Sequence, residues 1–261
     1  MTAAQANEAA RVLWEARRVR RTIPSIPEES RPTTVEEGYL VQDALIALSA
    51  DRVVGWKLGA TTSYWQKRAG LTEPMAGRLL ASHVHHQSAR LPGSAFHLRM
   101  VECEYAFVLA RDLPARPEPY SRSEVEEAVG EVHGCIEVAD SRFERGLMVD
   151  SPSLIADNVL AGAYVVGPRI ADWRHVDLAQ MPVKVFVGGK LINEGKGDHT
   201  GGHPILPLCW LANDRRKRGD GLSAGMLIST SSTTGAHRAA PDATVVAEYA
   251  PYGTVEVSFS P

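Results

Sequence analysis

The sequence is poor in the features that mark several whole classes of protein. It has only three cysteines, Cys103, Cys135 and Cys209, set far apart in apolar surroundings, which supports neither a disulfide framework nor a zinc site. Cys103 and Cys135 read as small core residues. No apolar run reaches the length of a membrane span, and residues 1–20, rich in Ala, Glu and Arg, lack the continuous apolar stretch of a signal peptide. A cytoplasmic location is the resulting expectation. Charge of either sign is also scarce in excess: a net charge of -3 gives no electrostatic reason to expect nucleic acid or an anionic membrane as partner. The basic run Arg17-Arg18-Val19-Arg20-Arg21 reads as a solvated helix end. No phosphate-binding P-loop is present, and Gly195-Lys196-Gly197 lacks the third glycine and the strand-to-helix setting of a dinucleotide fingerprint. The serines lack a Gly-x-Ser-x-Gly nucleophile elbow.

What is there is an ordinary globular composition, 44% hydrophobic and 23% charged over 261 residues, enough for a substantial core. Residues 3–20 form an Ala-rich amphipathic segment. Pro24, Pro27 and Pro32 mark a linker, and Thr34-Val35-Glu36-Glu37 has the form of a capping box opening a helix. Val41, Ala44, Leu45 and Leu48 give that helix one apolar face. A strand at residues 53–59 and a helix at 62–69 closed by Gly70 follow. From about residue 75 the pattern turns to short β-runs, with helices at 123–129, opened by a box of Ser123 and Glu126, and at 207–218. Gly188-Gly189 between Val183–Val187 and Lys190–Ile192 is a hairpin signal, and residues 253–259 alternate as a half-buried final strand. The expectation is an α+β fold, a mixed β-roll, divided into a mostly helical cap region at 1–74 and a β-roll catalytic domain at 75–261.

The most informative segment is Met100-Val101-Glu102-Cys103-Glu104-Tyr105-Ala106-Phe107-Val108-Leu109. Two carboxylates set two apart in a strand point the same way, yet neither face of this strand reads as solvent. Either the strand end is exposed and both glutamates are solvated, or the pair awaits a cation. Gly134-Cys135-Ile136-Glu137-Val138-Ala139 is a second apolar run with one acid at its centre. Three converging carboxylates would suit a hard divalent ion such as Mg²⁺ or Mn²⁺ better than zinc, although spacing does not place Glu137 beside the first pair.

Other residues carry weaker chemistry. Lys57 is a lone cation between Gly55 and Gly59 in an apolar strand, either a snorkelling surface lysine or a desolvated one that binds a carboxylate or relays a proton. His83, His85 and His86 read as a surface loop. His203 precedes a helix whose first amides face an anion in the functional reading. Ser231-Ser232-Thr233-Thr234-Gly235 offers hydroxyls and amides to a carboxylate, or is a polar turn.

Six ordered segments carry a resemblance. Gly55-Trp56-Lys57-Leu58-Gly59, Val101–Ala106 with Arg111-Asp112-Leu113-Pro114, Ile136–Arg142, Ile155-Ala156-Asp157-Asn158, Gly202-His203-Pro204 and Thr234-Gly235 resemble those of the 2-keto-4-pentenoate hydratases. These enzymes and the 4-oxalocrotonate decarboxylases belong to the fumarylacetoacetate hydrolase superfamily. The resemblance covers about residues 50 to 260. It implies a mixed β-roll, a homo-oligomer, and a Mg²⁺ or Mn²⁺ ion held by Glu102, Glu104 and Glu137. It also implies Lys57 as an active-site lysine, a small 2-oxo acid as substrate, and Arg142, His203, Thr234 and Gly235 around that substrate.

The activity so implied is a metal-dependent hydratase that adds water to a small 2-hydroxydienoate from aromatic meta-cleavage. The runner-up is the decarboxylase of the same pathway; a carbon–carbon hydrolase and a non-catalytic 2-oxo acid binding protein stand behind it. The chain departs from the hydratase pattern at Glu73-Pro74-Met75, where those enzymes carry an acid just after the proline. Glu73 is the candidate replacement. Phe143 after Asp140-Ser141-Arg142 is nearer the decarboxylase branch.

Overall fold

The computed structural model describes residues 1–260, and its first elements follow the helical spacing of the sequence. Helix α1 (Ala3–Arg18) starts at a capping box of Thr2 and Gln5, and α2 (Val35–Ser49) starts at the N-cap Thr34. The expected box on α2 closes differently: Thr34 accepts from the Glu37 amide, but the Glu37 carboxylate turns back to the amide and hydroxyl of Thr33, each at 2.8 Å. Strand β1 (Val53–Gly59) and helix α3 (Ser63–Ala69) come next, the latter ended by Gly70 at φ 66°. A left-handed φ at that position is what glycine supplies without a Cβ penalty.

Strands β2 (Met75–Leu80), β3 (Val84–His86), β4 (Ser88–Pro92) and β5 (Met100–Leu109) follow, so His85 and His86 lie in a short strand and not in a loop. Helix α4 (Arg122–Ala128) begins one turn position earlier than expected, because Ser121 and Glu124 form the capping box in place of Ser123 and Glu126. Both pairs fit the same pattern, and the one that satisfies the first free amides wins. The remaining elements are β6 (Val129–Ala139), α5 (Ser151–Ala156), β7 (Ala161–Arg169), β8 (Pro182–Val187), β9 (Lys190–Lys196), α6 (Ile205–Arg218), β10 (Leu227–Arg238), β11 (Thr244–Tyr249) and β12 (Gly253–Ser260). Gly188 and Gly189, at φ 57° and 77°, close the β8–β9 hairpin.

The strands form two mixed sheets. One runs β2-β1-β10-β5-β6-β7-β3 and the other β4-β12-β11-β8-β9. Strand β1 pairs parallel to β10, so this early segment is part of the larger sheet. The two sheets pack face to face through large side chains seated on glycines. A Cβ at Gly134 of β6 would lie inside the ring of Tyr249 of β11, and one at Gly167 of β7 inside Val255 of β12. Tyr105, Phe107, Ile136, Val185, Val245, Val257 and Tyr249 make the common core. Helices α1, α2 and α5 pack on one another outside it, around Ala9, Leu13, Val41, Leu45 and Ala156. The architecture is α+β, a mixed β-roll with a small N-terminal helical region. Among the described residues, no helix is long and apolar enough to cross a membrane.

Candidate active site: three carboxylates and a buried lysine

Strand register brings the acids together. Strands β5 and β6 are antiparallel, with Glu102 directly opposite Glu137 and Glu104 opposite Cys135. Side chains two apart on one strand, and those facing across the pair, share one face of the sheet. Carboxylate oxygens of Glu102, Glu104 and Glu137 accordingly all lie within 4.8 Å of one another. Glu104 and Glu137 are fully buried, while Glu102 is half-buried at the edge of a cavity of about 290 Å³. The spacing pattern therefore reflects convergence, and the solvated strand end is excluded for Glu104, while Glu102 stays half-buried.

Lys57 reaches the same point from β1. Its Nζ lies 2.9 Å from Glu137 Oε1 and donates to the Val159 carbonyl at 3.0 Å. Three carboxylates against one ammonium leave a double negative charge in a buried place. Burial, and then the charges of Glu137 and Glu102, push the Glu104 carboxyl well above its ordinary range, and burial raises Glu137 to about 7 against the pull of Lys57. Burial alone would lower Lys57, but the field of Glu137, Glu102 and Glu104 outweighs it and the ammonium is held more firmly than usual. Glu104 Oε1 and Glu137 Oε2 accept no hydrogen bond, whereas Glu104 Oε2 takes the Ser229 hydroxyl. Buried, unpartnered carboxylate oxygens cost several kcal/mol each unless a cation completes them. An all-oxygen donor set of this charge fits a divalent metal ion of the Mg²⁺ or Mn²⁺ type.

The shell behind the acids is made of hydroxyls. Tyr249 Oη is 2.8 Å from the carbonyls of both Glu104 and Cys135, pinning the two strands from the opposite sheet. Thr233 Oγ1 donates to the Cys103 carbonyl, between the two glutamates, at 2.8 Å. Strand β10 reaches this position only because it is bulged twice, between Ser229 and Ser232 and again before Ala236. Bulges re-aim side chains. Here they turn Ser231, Ser232 and Thr233 to the cavity, with Ser231 at φ 82° and Gly235 at φ 79°.

The carbonyl that holds Lys57 belongs to a left-handed turn. Asn158, Val159 and Leu160 have φ of 55°, 51° and 63°, a conformation that costs non-glycine residues on the order of 1–2 kcal/mol each. Asn158 clamps the turn to β2: its Oδ1 accepts from the Arg78 amide at 2.7 Å and its Nδ2 donates to the Arg78 carbonyl at 2.9 Å. Gly77 is needed there, because a Cβ would collide with the Asn158 carbonyl. Val159 and Leu160 then line the cavity.

The other expected site residues are dispersed. Gly235 lines the cavity; Thr234 is buried beside it, with its carbonyl taking Asn193 Nδ2 at 2.8 Å and His237 Nε2 at 2.9 Å. Arg142 lines a separate cavity with Arg17 and His83. Its Nη2 is 2.6 Å from Asp140 Oδ2 and its amide 2.7 Å from Asp157 Oδ2. His203 Nδ1 accepts from the Ile205 amide at 3.1 Å, so the imidazole itself covers the start of α6 where an anion was expected. Glu73 is exposed in the bend before β2, and Met75, not Glu73, enters the cavity wall. The sequence reading missed His199, which lines the cavity beside β10. The remaining wall is apolar: Trp65, Leu98, Met100, Leu147 and Leu160.

No family model matches the chain. It is 30% identical over 251 residues, 95% of each chain, to a 2-keto-4-pentenoate hydratase of Paraburkholderia phymatum. It is equally 30% identical over 231 residues, covering 87% of this chain and 86% of the relative, to a 4-oxalocrotonate decarboxylase of Pseudomonas putida. The structure of 4-oxalocrotonate decarboxylase from Pseudomonas putida G7, complexed with magnesium and adipate, superposes with a TM-score of 0.92 at 25% identity, over 100% of this chain and 99% of that one. Sequence along nearly the whole length, the shared β-roll and the three-carboxylate centre agree, and the chain belongs to the family of the 2-keto-4-pentenoate hydratases and 4-oxalocrotonate decarboxylases within the fumarylacetoacetate hydrolase superfamily.

Proposed function

We propose that the protein is a divalent-metal-dependent hydratase that adds water to a small 2-hydroxydienoate, such as 2-hydroxypenta-2,4-dienoate of aromatic meta-cleavage. The observation that carries this reading is the polarity of the cavity. Its charged lining residues are Lys57 and Glu102, both at the carboxylate centre; Thr62, His199 and Ser231–Thr233 add polar groups, and the wall at Trp65, Met75, Leu98 and Leu147 is apolar. A substrate with its one carboxylate and its 2-oxygen at the polar end and a short hydrocarbon tail fits such a wall. A dicarboxylate would meet no lysine or arginine in the lining for its second charge.

Glu102, Glu104 and Glu137 are the residues that would hold Mg²⁺ or Mn²⁺, and the bound ion supplies Lewis acidity to a 2-oxo acid. The protein's own groups do the rest. The Lys57 ammonium, fixed on Glu137 and Val159, places positive charge where negative charge develops on the substrate oxygens. Ser231 offers its hydroxyl along one side, while those of Ser232 and Thr233 are donated to the Gly235 and Cys103 carbonyls and hold the bulged strand in place; the apolar wall flanks the dienoate. Glu73 is exposed and does not line the cavity.

A decarboxylase of the 4-oxalocrotonate type is the second reading, favoured by the structural likeness to that enzyme. Incubation with Mg²⁺ and either 2-hydroxypenta-2,4-dienoate or 2-oxohex-3-enedioate separates the two by water gain or carbon dioxide release. Lack of turnover of the dienoate sinks the hydratase; metal-dependent binding of 2-oxo acids with no turnover of either compound makes the protein a binder. The same family resemblance supports a cytoplasmic homo-oligomer, testable by sedimentation of the purified chain.

A further inference from the structure

Hydration needs a group that gives up and retakes a proton beside the substrate, and the cavity wall narrows the choice. Three of its lining residues are titratable: Lys57, Glu102 and His199. Lys57 is held as an ammonium between Glu137 and the Val159 carbonyl, and Glu102 belongs to the carboxylate centre. Met75 occupies the wall where Glu73 was expected to act. His199 is left, and an imidazole offers one ring nitrogen to accept a proton and return it.

Its setting is built. His199 sits in the short 3₁₀ turn Gly197–Thr200 after β9, with Nδ1 2.8 Å from the Thr233 carbonyl. A carbonyl only accepts, so Nδ1 carries the proton and Nε2 is the basic nitrogen of the neutral ring. The approach is close enough that Gly195 must be glycine: a Cβ there would overlap the Thr233 carbonyl and stand 3.1 Å from His199 Nδ1. Thr233 in turn donates through Oγ1 to the Cys103 carbonyl. One residue therefore registers the imidazole on the strand segment that carries Glu102 and Glu104. The side chain is 51% exposed, which gives Nε2 access to water, and Asp198 Oδ1 lies 3.8 Å from it.

We infer that His199 is the catalytic residue that transfers the proton in water addition, a role that rests on the hydratase reading above. After ketonisation the substrate is a 2-oxo-3-enoate. A water lone pair forms the C4–O bond while the C3=C4 π pair shifts toward the C2 oxygen, and the breaking water O–H leaves its proton on Nε2. The electron pair then returns from the C2 oxygen, the carbonyl re-forms, and C3 takes the proton from Nε2. The imidazole ends neutral and the product is the 4-hydroxy-2-oxo acid. Asp198 stabilises the intervening imidazolium. The charged groups that face it are Asp198 with its partner Lys196 on its own segment, and Lys57 and Glu102 across the cavity; Ser231, Ser232 and Thr233 of β10 are uncharged.

The test uses the purified full chain with Mg²⁺ and 2-hydroxypenta-2,4-dienoate. His199→Asn keeps a donor toward the Thr233 carbonyl but removes the titrating nitrogen. It should lower kcat by about 10²- to 10⁴-fold, leave Mn²⁺ affinity within about threefold, and abolish the acid limb of the kcat/KM profile. Free imidazole should restore part of the activity of His199→Gly. A His199→Asn enzyme with kcat within about threefold of wild type and an unchanged pH profile overturns the inference while leaving the hydratase reading intact. A wild-type chain that releases carbon dioxide from the enedioate and hydrates no dienoate overturns the hydratase reading itself.

Discussion

Lys57 and Glu137 form a buried ion pair, Nζ to Oε1 at 2.9 Å, between two strands that are not neighbours in the sheet. Strands β10 and β5 lie between β1 and β6, so the lysine crosses above them to reach the glutamate facing Glu102. The pair joins the carboxylate centre to the left-handed turn at Val159.

Lys57→Met separates the charge of the lysine from its bulk. Above about pH 7, where Glu137 is ionised, removing its partner leaves an uncompensated buried charge, a loss of roughly 3–5 kcal/mol in the metal-free protein. With a positive neighbour gone from three carboxylates, Mn²⁺ should bind as tightly as in wild type or tighter, while kcat falls by about 10² or more. Calorimetric titration and steady-state kinetics on one preparation check both halves.

The pH dependence of the metal-free protein follows from the raised carboxyls. Glu137, pushed up to about 7, and Glu104, likewise pushed up by burial, stay protonated in the folded chain over a range where the unfolded chain ionises them from about 4.5. At these two groups the folded state therefore holds more protons, and their contribution to stability is greatest below about 4.5 and falls as pH rises toward 7. Metal binding must displace those protons, so Mn²⁺ affinity should rise over the same range, with proton release on binding. Chemical denaturation with and without metal at pH 5 and pH 8 measures the two trends.

Gly134 is the seat of Tyr249, whose hydroxyl serves the carbonyls of Glu104 and Cys135. Gly134→Ala drives a methyl into that ring and should cost about 1–3 kcal/mol in urea unfolding. Tyr249→Phe leaves the seat filled but removes the one hydroxyl proton shared between the Glu104 and Cys135 carbonyls, the former keeping the Cys135 thiol at 3.1 Å, with a loss of about 1–3 kcal/mol.

Leu147 stands half-exposed in the cavity wall, where a long side chain has room. Leu147→Arg adds a cation at the tail end of the cavity, and it should lower KM for 2-oxohex-3-enedioate relative to the monocarboxylic dienoate. Unchanged relative KM values would show that the wall does not select the tail.

Much of this centre was legible in the sequence, because strand alternation is a rigid rule. Two acids two apart in an apolar strand share a face, and a second apolar run with one acid marked Glu137 before any register was known. What alternation does not encode is where a chain breaks it. The bulges of β10 fall on Ser231–Gly235, which the sequence offers only as a polar turn, and the left-handed turn at Asn158, Val159 and Leu160 is held by a tertiary clamp, Asn158 on Arg78, with Val159 and Leu160 carrying no local turn signal. His199 was hidden for the same reason. His203 stood out beside two glycines and a proline, yet it caps α6 from outside the cavity, whereas His199 is placed by a carbonyl thirty-odd residues away. The Ser121 cap of α4 was confused with Ser123 because both precede an acid by three residues.

The central claim is that Glu102, Glu104 and Glu137 form one divalent-metal site, and titration of the metal-free chain with Mn²⁺, followed by calorimetry, tests it most directly. Wild type should bind one ion per chain and Glu102→Ala none at the same concentrations; an unchanged affinity in Glu102→Ala would contradict the account.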